Sequence, residues 1–257
     1  MKTKDILALR PLFRQFPVRI SDGPNQGVRW SAATRRAFRR GYFEKSRVEV
    51  ISQLAEGCKC FWDAGAHFGY ITLAASRRVQ AEGRVIAIEC NRDNLWYLRK
   101  HIQWNQLANV TIMPVAIGNS PGHARFNPVS SGTGLVEGAE FHRGYDVEVE
   151  TIDNLTQNGR LPPPDVFKVD IDHTYVDFLA GARETLRHYP TLMVLATNNS
   201  KPYHIKASET LRSWGYEVHT PLRCEDAETF HGIESELLAI GPGRIVEDKI
   251  IHAFKNS

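Results

Sequence analysis

The stretch FWDAGAHFG, residues 61–69, decides the predicted fold. An apolar run ends at Asp63, a turn with Gly65 and Gly69 follows, and a second apolar run begins at Tyr70. A strand that passes through a glycine turn into a helix brings its backbone, with free N–H groups, close to a bound ligand. Because the glycines do not follow the spacing G-x-G-x-x-G, the dinucleotide fingerprint is not met. A carboxylate at Asp63 favours instead a ligand with an ammonium or hydroxyl group.

Outward from this turn, short apolar runs alternate with segments of helical length. The apolar runs are KCFWDAG, RVIAIE, VTIMPVAIG, DVFKVDID and TLMVLAT. The predicted helices span residues 70–79, 91–104, 175–188 and 204–214. This alternation predicts an α/β fold with an open, doubly wound, mostly parallel sheet. The later runs GYEVHT and ELLAIGP predict an antiparallel edge pair, and the Gly- and Ser-rich residues 122–144 predict a surface loop or short β excursion.

Residues 1–56 are predicted to form an N-terminal helical cap or lid, and residues 57–257 the domain that holds the sheet. From Ser31 to Ala55 apolar residues recur every three to four positions, as in amphipathic helices that Gly41 interrupts. The first 50 residues contain 12 Lys or Arg against 4 Asp or Glu, although the whole chain carries only +3. Such a segment suits an anionic ligand, a nucleic acid or a membrane surface, or is an ordinary solvated helix face.

The composition excludes several classes of protein. With 257 residues, 42% of them hydrophobic and 24% charged, the chain is predicted to be a soluble globular protein with a large core. No apolar run approaches the roughly 18 residues of a membrane helix. Arg10 and Pro11 interrupt the first apolar stretch before it could act as a secretion signal, so we expect a cytoplasmic protein. Four cysteines do not make a disulfide framework at this length.

A second acidic residue, Glu89, ends the run RVIAIE one strand after Asp63. A carboxylate at that strand tip can accept hydrogen bonds from both hydroxyls of a ribose. The two acids in this order predict S-adenosylmethionine as the cofactor. The predicted cofactor-binding residues are Asp63, Gly65, His67, Gly69, Glu89, Val115 and Ala116. Of these, Val115 and Ala116 would contact the adenine through their backbone, whereas His67 could instead line the acceptor pocket.

Asp170, Asp172 and His173 crowd the end of another predicted strand, at the edge where open α/β sheets bind ligands. Transfer of a methyl group from such a cofactor requires in-line alignment and, if the acceptor is a hydroxyl, removal of a proton, so these three residues are the catalytic candidates, with His173 the favoured general base. Alternatively, Asp170 and Asp172 with Asn198 or Asn199 could bind Mg²⁺ through oxygen, or Asp172 or Thr174 could simply cap a helix. The sequence leaves these alternatives open.

The residues from about Gly57 to Asn199 resemble the FkbM family of S-adenosylmethionine-dependent methyltransferases. Four ordered elements carry the resemblance: FWDAGAHFGYITLAAS, VIAIECNRDNLWYLRKHIQWNQLANVTIMPVAIGN, VEVETIDNL and FKVDIDHTYVDFLAGA. The resemblance implies a class I, Rossmann-like methyltransferase fold. It also implies methyl transfer to oxygen, usually a hydroxyl of a sugar, polyketide or other secondary metabolite. The basic cap adds the expectation that this small-molecule acceptor is anionic.

Two departures from the family pattern fall at strand tips that face the acceptor. The residues Asp172, His173 and Thr174 stand where the family has Glu-Gly-Ala, and residues 195–198 stand where it often has Glu and His. A non-catalytic protein that binds S-adenosylmethionine or a related nucleoside is therefore one alternative. An RNA methyltransferase is another, because the cap combines arginines with aromatic residues, although the low total charge disfavours RNA.

Overall fold

A computed structural model describes residues 14–127, 144–157, 159–171, 175–197, 201–222 and 236–256. The strands are β1 (Pro17–Arg19), β2 (Arg29–Ser31), β3 (Cys60–Ala64), β4 (Arg84–Ile88), β5 (Val110–Met113), β6 (Ala116–Ile117), β7 (Gly122–Phe126), β8 (Tyr145–Glu150), β9 (Val166–Val169), β10 (Leu192–Ala196), β11 (Glu217–His219) and β12 (Glu236–Ile240). The helices are α1 (Arg36–Arg40), α2 (Lys45–Leu54), α3 (Tyr70–Ser76), α4 (Arg92–Trp104), α5 (Ile152–Gln157), α6 (Tyr175–Gly181), α7 (Arg183–His188), α8 (Lys201–Ser213) and α9 (Asp248–Lys255). Over these ranges, no helix has the length and apolar character needed to cross a membrane.

The main sheet has seven strands in the order β11-β12-β10-β9-β3-β4-β5. Neighbours from β10 to β5 are parallel, whereas β12 runs antiparallel to both β10 and β11. After β3 the chain adds β4 and β5 on one side of it, and β9 later pairs with β3 on the other side. The boundary between β3 and β9 is therefore the switch point, where doubly wound sheets bind ligands. This topology confirms the predicted class I methyltransferase fold with an antiparallel edge pair.

Three local features differ from the predictions. The cap is not purely helical, because β1 and β2 form an antiparallel hairpin whose turn uses Gly23 and Gly27 at positive φ. The run VTIMPVAIG is two strands, since Pro114 has no N–H with which to continue the ladder and β6 pairs with β8 in a separate small sheet. The helix predicted over residues 175–188 is divided into α6 and α7 at Ala182.

The cap and the sheet share one hydrophobic core. Successive side chains of a strand point to opposite faces, and β3 is buried on both. Trp62 packs with Phe167 on the face covered by α5 to α8. Phe61 belongs to the cluster on the other face, which contains Trp30 and Phe38 of the cap together with residues of α3 and α9. The described part of the cap is therefore packed as part of the main body.

His101 of α4 joins the cap to the turn that follows β3. Its ring is completely buried and stacks on Trp30 with a centroid distance of 3.7 Å. Its Nε2 accepts a hydrogen bond from the N–H of Ser31 (3.0 Å), and its Nδ1 donates to the carbonyl of Phe68 (2.7 Å). Only a neutral imidazole can make both bonds, because the protonated ring has no acceptor. Burial lowers the pKa of His101 to about 4, which keeps the ring neutral.

This histidine makes the protein sensitive to acid. The unfolded chain protonates His101 near its ordinary pKa of 6.5, whereas the folded protein resists until about pH 4. The free energy of unfolding should therefore fall as the pH decreases through this window, by about 3 kcal/mol for this residue. His101→Gln should be less stable at pH 7. Its free energy of unfolding, measured in urea, should also change less between pH 7 and pH 4 than that of the wild type. His188→Gln, at an exposed position, is the control; an unchanged slope in His101→Gln would contradict the assignment.

Candidate active site

The turn between β3 and α3 lies at the C-terminal edge of the main sheet. Gly65, His67 and Gly69 all have positive φ, at 75°, 51° and 89°. A Cβ atom on Gly65 would lie 1.8 Å from the carbonyl oxygen of Asp170, and one on Gly69 would lie 2.6 Å from the side chain of Leu98. Both glycines are thus required by close contacts within the protein, against the end of β9 and against α4. These contacts fix the path of the turn and the directions of its N–H groups.

Asp63 does not face the space beyond this turn. Its carboxylate is completely buried, lies 3.0 Å from the Nζ of Lys168, and accepts a hydrogen bond from the hydroxyl of Thr72 at 2.6 Å. Lys168 also donates to the carbonyls of Ala64 (3.3 Å) and Gly65 (2.8 Å). A direct contact between the Asp63 carboxylate and a cofactor does not fit this geometry, because the carboxylate has no exposed surface. Asp63 instead holds Lys168, which holds the glycine turn.

Glu89 lies at the end of β4, directly beside the turn. One of its oxygens accepts the N–H of His67 (2.8 Å) and the other accepts the N–H of Asn91 (2.7 Å). Asn91 in turn caps α4, because its side-chain oxygen accepts the N–H of Asp93. Burial raises the pKa of Glu89, although these hydrogen bonds oppose the shift. The side chain of Asn94 is a third donor to this carboxylate. A carboxylate has about four acceptor sites, so Glu89 can still accept a hydrogen bond from a ligand.

Asp170 follows β9 and is held by Arg47 of the cap. The guanidinium of Arg47 is 9% exposed and lies 3.2 Å from Asp170, 2.8 Å from Glu44 and 2.5 Å from Glu236 at the start of β12. Enclosure by the protein acts to raise the pKa of Asp170, but the charges of Arg47 and Lys168 outweigh it and hold this pKa below its usual value. Asp170 is therefore ionised at neutral pH, which makes it a weak base and a strong hydrogen-bond acceptor.

His67 is an exposed side chain of the turn. Its ring stacks on Phe68 at a centroid distance of 3.8 Å and lies 6.3 Å from the ring of Phe38 in α1. Desolvation by the surrounding protein, and then the charge of Lys168, lower the pKa of His67 to about 4, while the charge of Asp170 acts in the opposite direction. At pH 7 the turn therefore presents a neutral imidazole to a ligand.

The other predicted site residues are only partly placed by the structure. Val115 lies between β5 and β6 and Ala116 begins β6; both are buried, and their contact with an adenine stays a prediction. Asp172 and His173 lie outside the described residues, as do the two asparagines considered as Mg²⁺ ligands, so the general base and the metal site also stay predictions. Within the ranges given above, no three His, Cys, Asp or Glu side chains are arranged to hold a metal ion.

Arg47 and Glu236 have no place in the sequence-based site, although both lie at its edge. Arg47 occurs in an amphipathic helix, where a charged residue predicts a solvated position, and Glu236 begins an otherwise apolar run. One signal was present: Arg47 is four residues before Ile51, which places it on the buried face of α2. A charge on an apolar helix face is rarely left without a partner.

A comparison with protein families decides the family of this chain. The family model for the methyltransferase FkbM domain matches residues 63–218, which contain the glycine turn, Glu89 and Asp170. The chain belongs to the FkbM methyltransferase family. A curated relative is the hexuronic acid methyltransferase AglP of Haloferax volcanii, 23% identical over 146 residues, 56% of this chain. The match spans 58% of that relative's length.

Two solved methyltransferase structures are similar to part of this FkbM-family chain. The methyltransferase FkbM from Methylobacillus flagellatus KT has a TM-score of 0.48 and 19% identity, over 72% of this chain and 44% of that one. The O-methyltransferase TomG from Streptomyces achromogenes, solved in complex with SAM, has a TM-score of 0.47 and 12% identity, over 77% of this chain and 81% of that one.

The contact between Gly65 and Asp170 can be separated from the strain of positive φ. Gly57 also has a positive φ, of 70°, but a Cβ atom there would meet nothing within 4 Å. Gly57→Ala should therefore cost only the backbone strain, about 1–2 kcal/mol. Gly65→Ala should cost clearly more, because the turn must move away from the end of β9. Urea unfolding midpoints of the two variants measure the difference; equal losses would contradict the close contact.

The three carboxylates around Arg47 predict a large effect of its removal. Arg47→Met leaves the buried Glu236 without this cation, and loss of one partner of a buried ion pair costs about 3–5 kcal/mol. Lys45→Met is the matched control, since Lys45 lies in the same helix and pairs with Asp22 on the surface. That change should cost at most about 1 kcal/mol. Chemical denaturation of both variants tests the contrast, and a similar small loss in both would show that Arg47 is dispensable.

Proposed function

We propose that this protein transfers the methyl group of S-adenosylmethionine to a hydroxyl oxygen of a small molecule, a sugar or a secondary metabolite. The observation that carries the proposal is the pairing of the glycine turn with Glu89 at the next strand tip, at the switch point of an FkbM-family sheet. The name of the relative AglP, a hexuronic acid methyltransferase, supports a sugar as the acceptor.

The residues at the edge of the sheet fit this cofactor. The first turn of α3 offers N–H groups, which suit a carboxylate, whereas the N–H groups of residues 65, 66, 67 and 69 already donate within the protein. Glu89 keeps one acceptor site of its carboxylate free beside three protein donors, which suits a hydroxyl of a ribose. The backbone near Val115 and Ala116 is the expected contact of the adenine. Asp63 acts indirectly in this proposal, through Lys168 and the position of the turn.

When bound, S-adenosylmethionine supplies a methyl group on a sulfonium. The acceptor oxygen forms the new bond to this methyl as the sulfur–methyl bond breaks, and the hydroxyl proton must leave. His173 stays the proposed base. Asp170 is kept ionised by Arg47 and suits a different task, to accept a hydrogen bond from the acceptor hydroxyl and orient its oxygen. The neutral ring of His67 can accept a second hydrogen bond without adding positive charge beside the cationic cofactor.

Ligand-dependent thermal unfolding tests the cofactor. At about 100 times its dissociation constant, S-adenosylmethionine or S-adenosylhomocysteine should add about 2.7 kcal/mol, a rise of roughly 5–10 °C in the melting temperature. Glu89→Gln should lose most of this rise because an amide offers fewer acceptor lone pairs to the ribose. Asp93→Asn, an exposed acid on the neighbouring helix, is the control and should keep it.

The acceptor is tested by S-adenosylhomocysteine formation with a panel of sugars. Product with a hydroxyl acceptor, lost in His173→Ala, would support methyl transfer with His173 as base. Stabilisation by the cofactor without turnover on any acceptor would favour a non-catalytic binder. The proposal would be wrong if neither ligand shifted the melting temperature of the wild-type protein.

A further inference from the structure

The glycine turn, residues 65–69, keeps one backbone donor without a partner. Its other N–H groups donate within the protein, those of Gly65, Ala66, His67 and Gly69. The N–H of Phe68 has no acceptor among the residues that the structure describes. Backbone N–H groups in folded proteins nearly all have a partner, in the protein or in the solvent. The donor of Phe68 is therefore available to a ligand at this edge of the sheet.

The backbone of Phe68 is held on both sides of this donor. The Nδ1 of His101 donates to the carbonyl oxygen of Phe68 at 2.7 Å. On the other side, the N–H of His67 donates to Glu89 at 2.8 Å. Peptide groups are planar, and the plane that carries the N–H of Phe68 lies between these two fixed planes. The direction of the unpaired donor therefore depends on the bond from His101.

The cap determines which nitrogen of His101 carries the proton. In a neutral imidazole one nitrogen donates and the other accepts, and the partner of one nitrogen decides the role of the other. The N–H of Ser31 donates to Nε2 at 3.0 Å, so the proton is on Nδ1, which faces Phe68. Trp30 stacks on the same ring at 3.7 Å. The strand β2 of the cap thus selects the tautomer that holds the turn.

We propose that His101 is a positioning residue for the cofactor: by holding the carbonyl of Phe68, it directs the N–H of Phe68 at the carboxylate of S-adenosylmethionine. The inference rests on the proposed function. A hydrogen bond from an N–H to a carboxylate is charge-assisted, and a donor already fixed in its bound direction avoids the cost of ordering the turn. The completely buried ring of His101 acts only through Phe68. The cap thereby contributes to cofactor affinity.

The test compares two ligands, S-adenosylhomocysteine and methylthioadenosine, which lacks the amino-acid carboxylate. Isothermal titration calorimetry gives their dissociation constants for the wild type, His101→Leu, His101→Asn and Trp30→Phe. His101→Leu removes the donor to Phe68, whereas His101→Asn keeps an amide N–H close to the position of Nδ1. Trp30→Phe is the matched control, because it weakens the packing of the cap on the same ring but leaves the bond to Phe68 in place.

The loss should be confined to the ligand that has a carboxylate. The wild type should bind S-adenosylhomocysteine at least about tenfold more tightly than methylthioadenosine, the effect of one charge-assisted hydrogen bond. His101→Leu should lose most of this preference with unchanged affinity for methylthioadenosine, and His101→Asn and Trp30→Phe should keep it. In NMR spectra of the wild type, the amide proton of Phe68 should move downfield with S-adenosylhomocysteine and not with methylthioadenosine.

Several results would overturn the inference. Equal weakening of both ligands in His101→Leu would show that His101 only supports the fold, and an unchanged preference would show that the turn does not depend on it. Loss of the preference in Trp30→Phe would assign the effect to the stability of the cap. If His101→Leu does not fold, the amide proton of Phe68 decides, and its failure to shift contradicts the inference. If the wild type binds neither ligand, the proposed function itself is wrong.

Discussion

The buried ion pair between Asp63 and Lys168 is the interaction on which the rest of the site depends. Two charges taken out of water each cost several kcal/mol unless their other hydrogen-bonding positions are also filled. Here Thr72 fills the second oxygen of Asp63, and the carbonyls of Ala64 and Gly65 accept from Lys168. The pair therefore fixes β3, β9 and the glycine turn as one unit. His67 and Asp170 lie on that unit, and Glu89 is joined to it by its hydrogen bond with the N–H of His67.

The charges are arranged in layers from the centre of the sheet to the cap. Paired ions lie inside, ionised Asp170 lies at the strand tip, and neutral His67 lies in the turn. An acid that stays ionised at this edge, beside a neutral ring, attracts cationic groups more than anionic ones.

The sequence is sufficient to predict the main sheet and the edge of the sheet that carries the candidate site. Buried parallel strands are mostly apolar, and the glycine turn and Glu89 each follow such a strand. The ion pairs between residues that are far apart in the sequence cannot be predicted from such local patterns. A carboxylate at a strand end, such as Asp63, has the same local pattern whether it meets a ligand or a lysine from a distant strand, and Arg47 meets Asp170 across 123 residues. The strands of the cap hairpin have three residues each, too few for a periodicity.

The shared core of cap and sheet has a consequence for how ligands enter and leave. Trp30 and Phe38 are buried in the same cluster as Phe61 and Leu73 of the main body. Swinging this segment outward at each catalytic cycle would expose large aromatic surfaces to water, at a free-energy cost comparable with partial unfolding. We therefore expect cofactor and acceptor to enter and leave while the cap stays in place. The cap would then be a fixed part of the site and not a lid that opens.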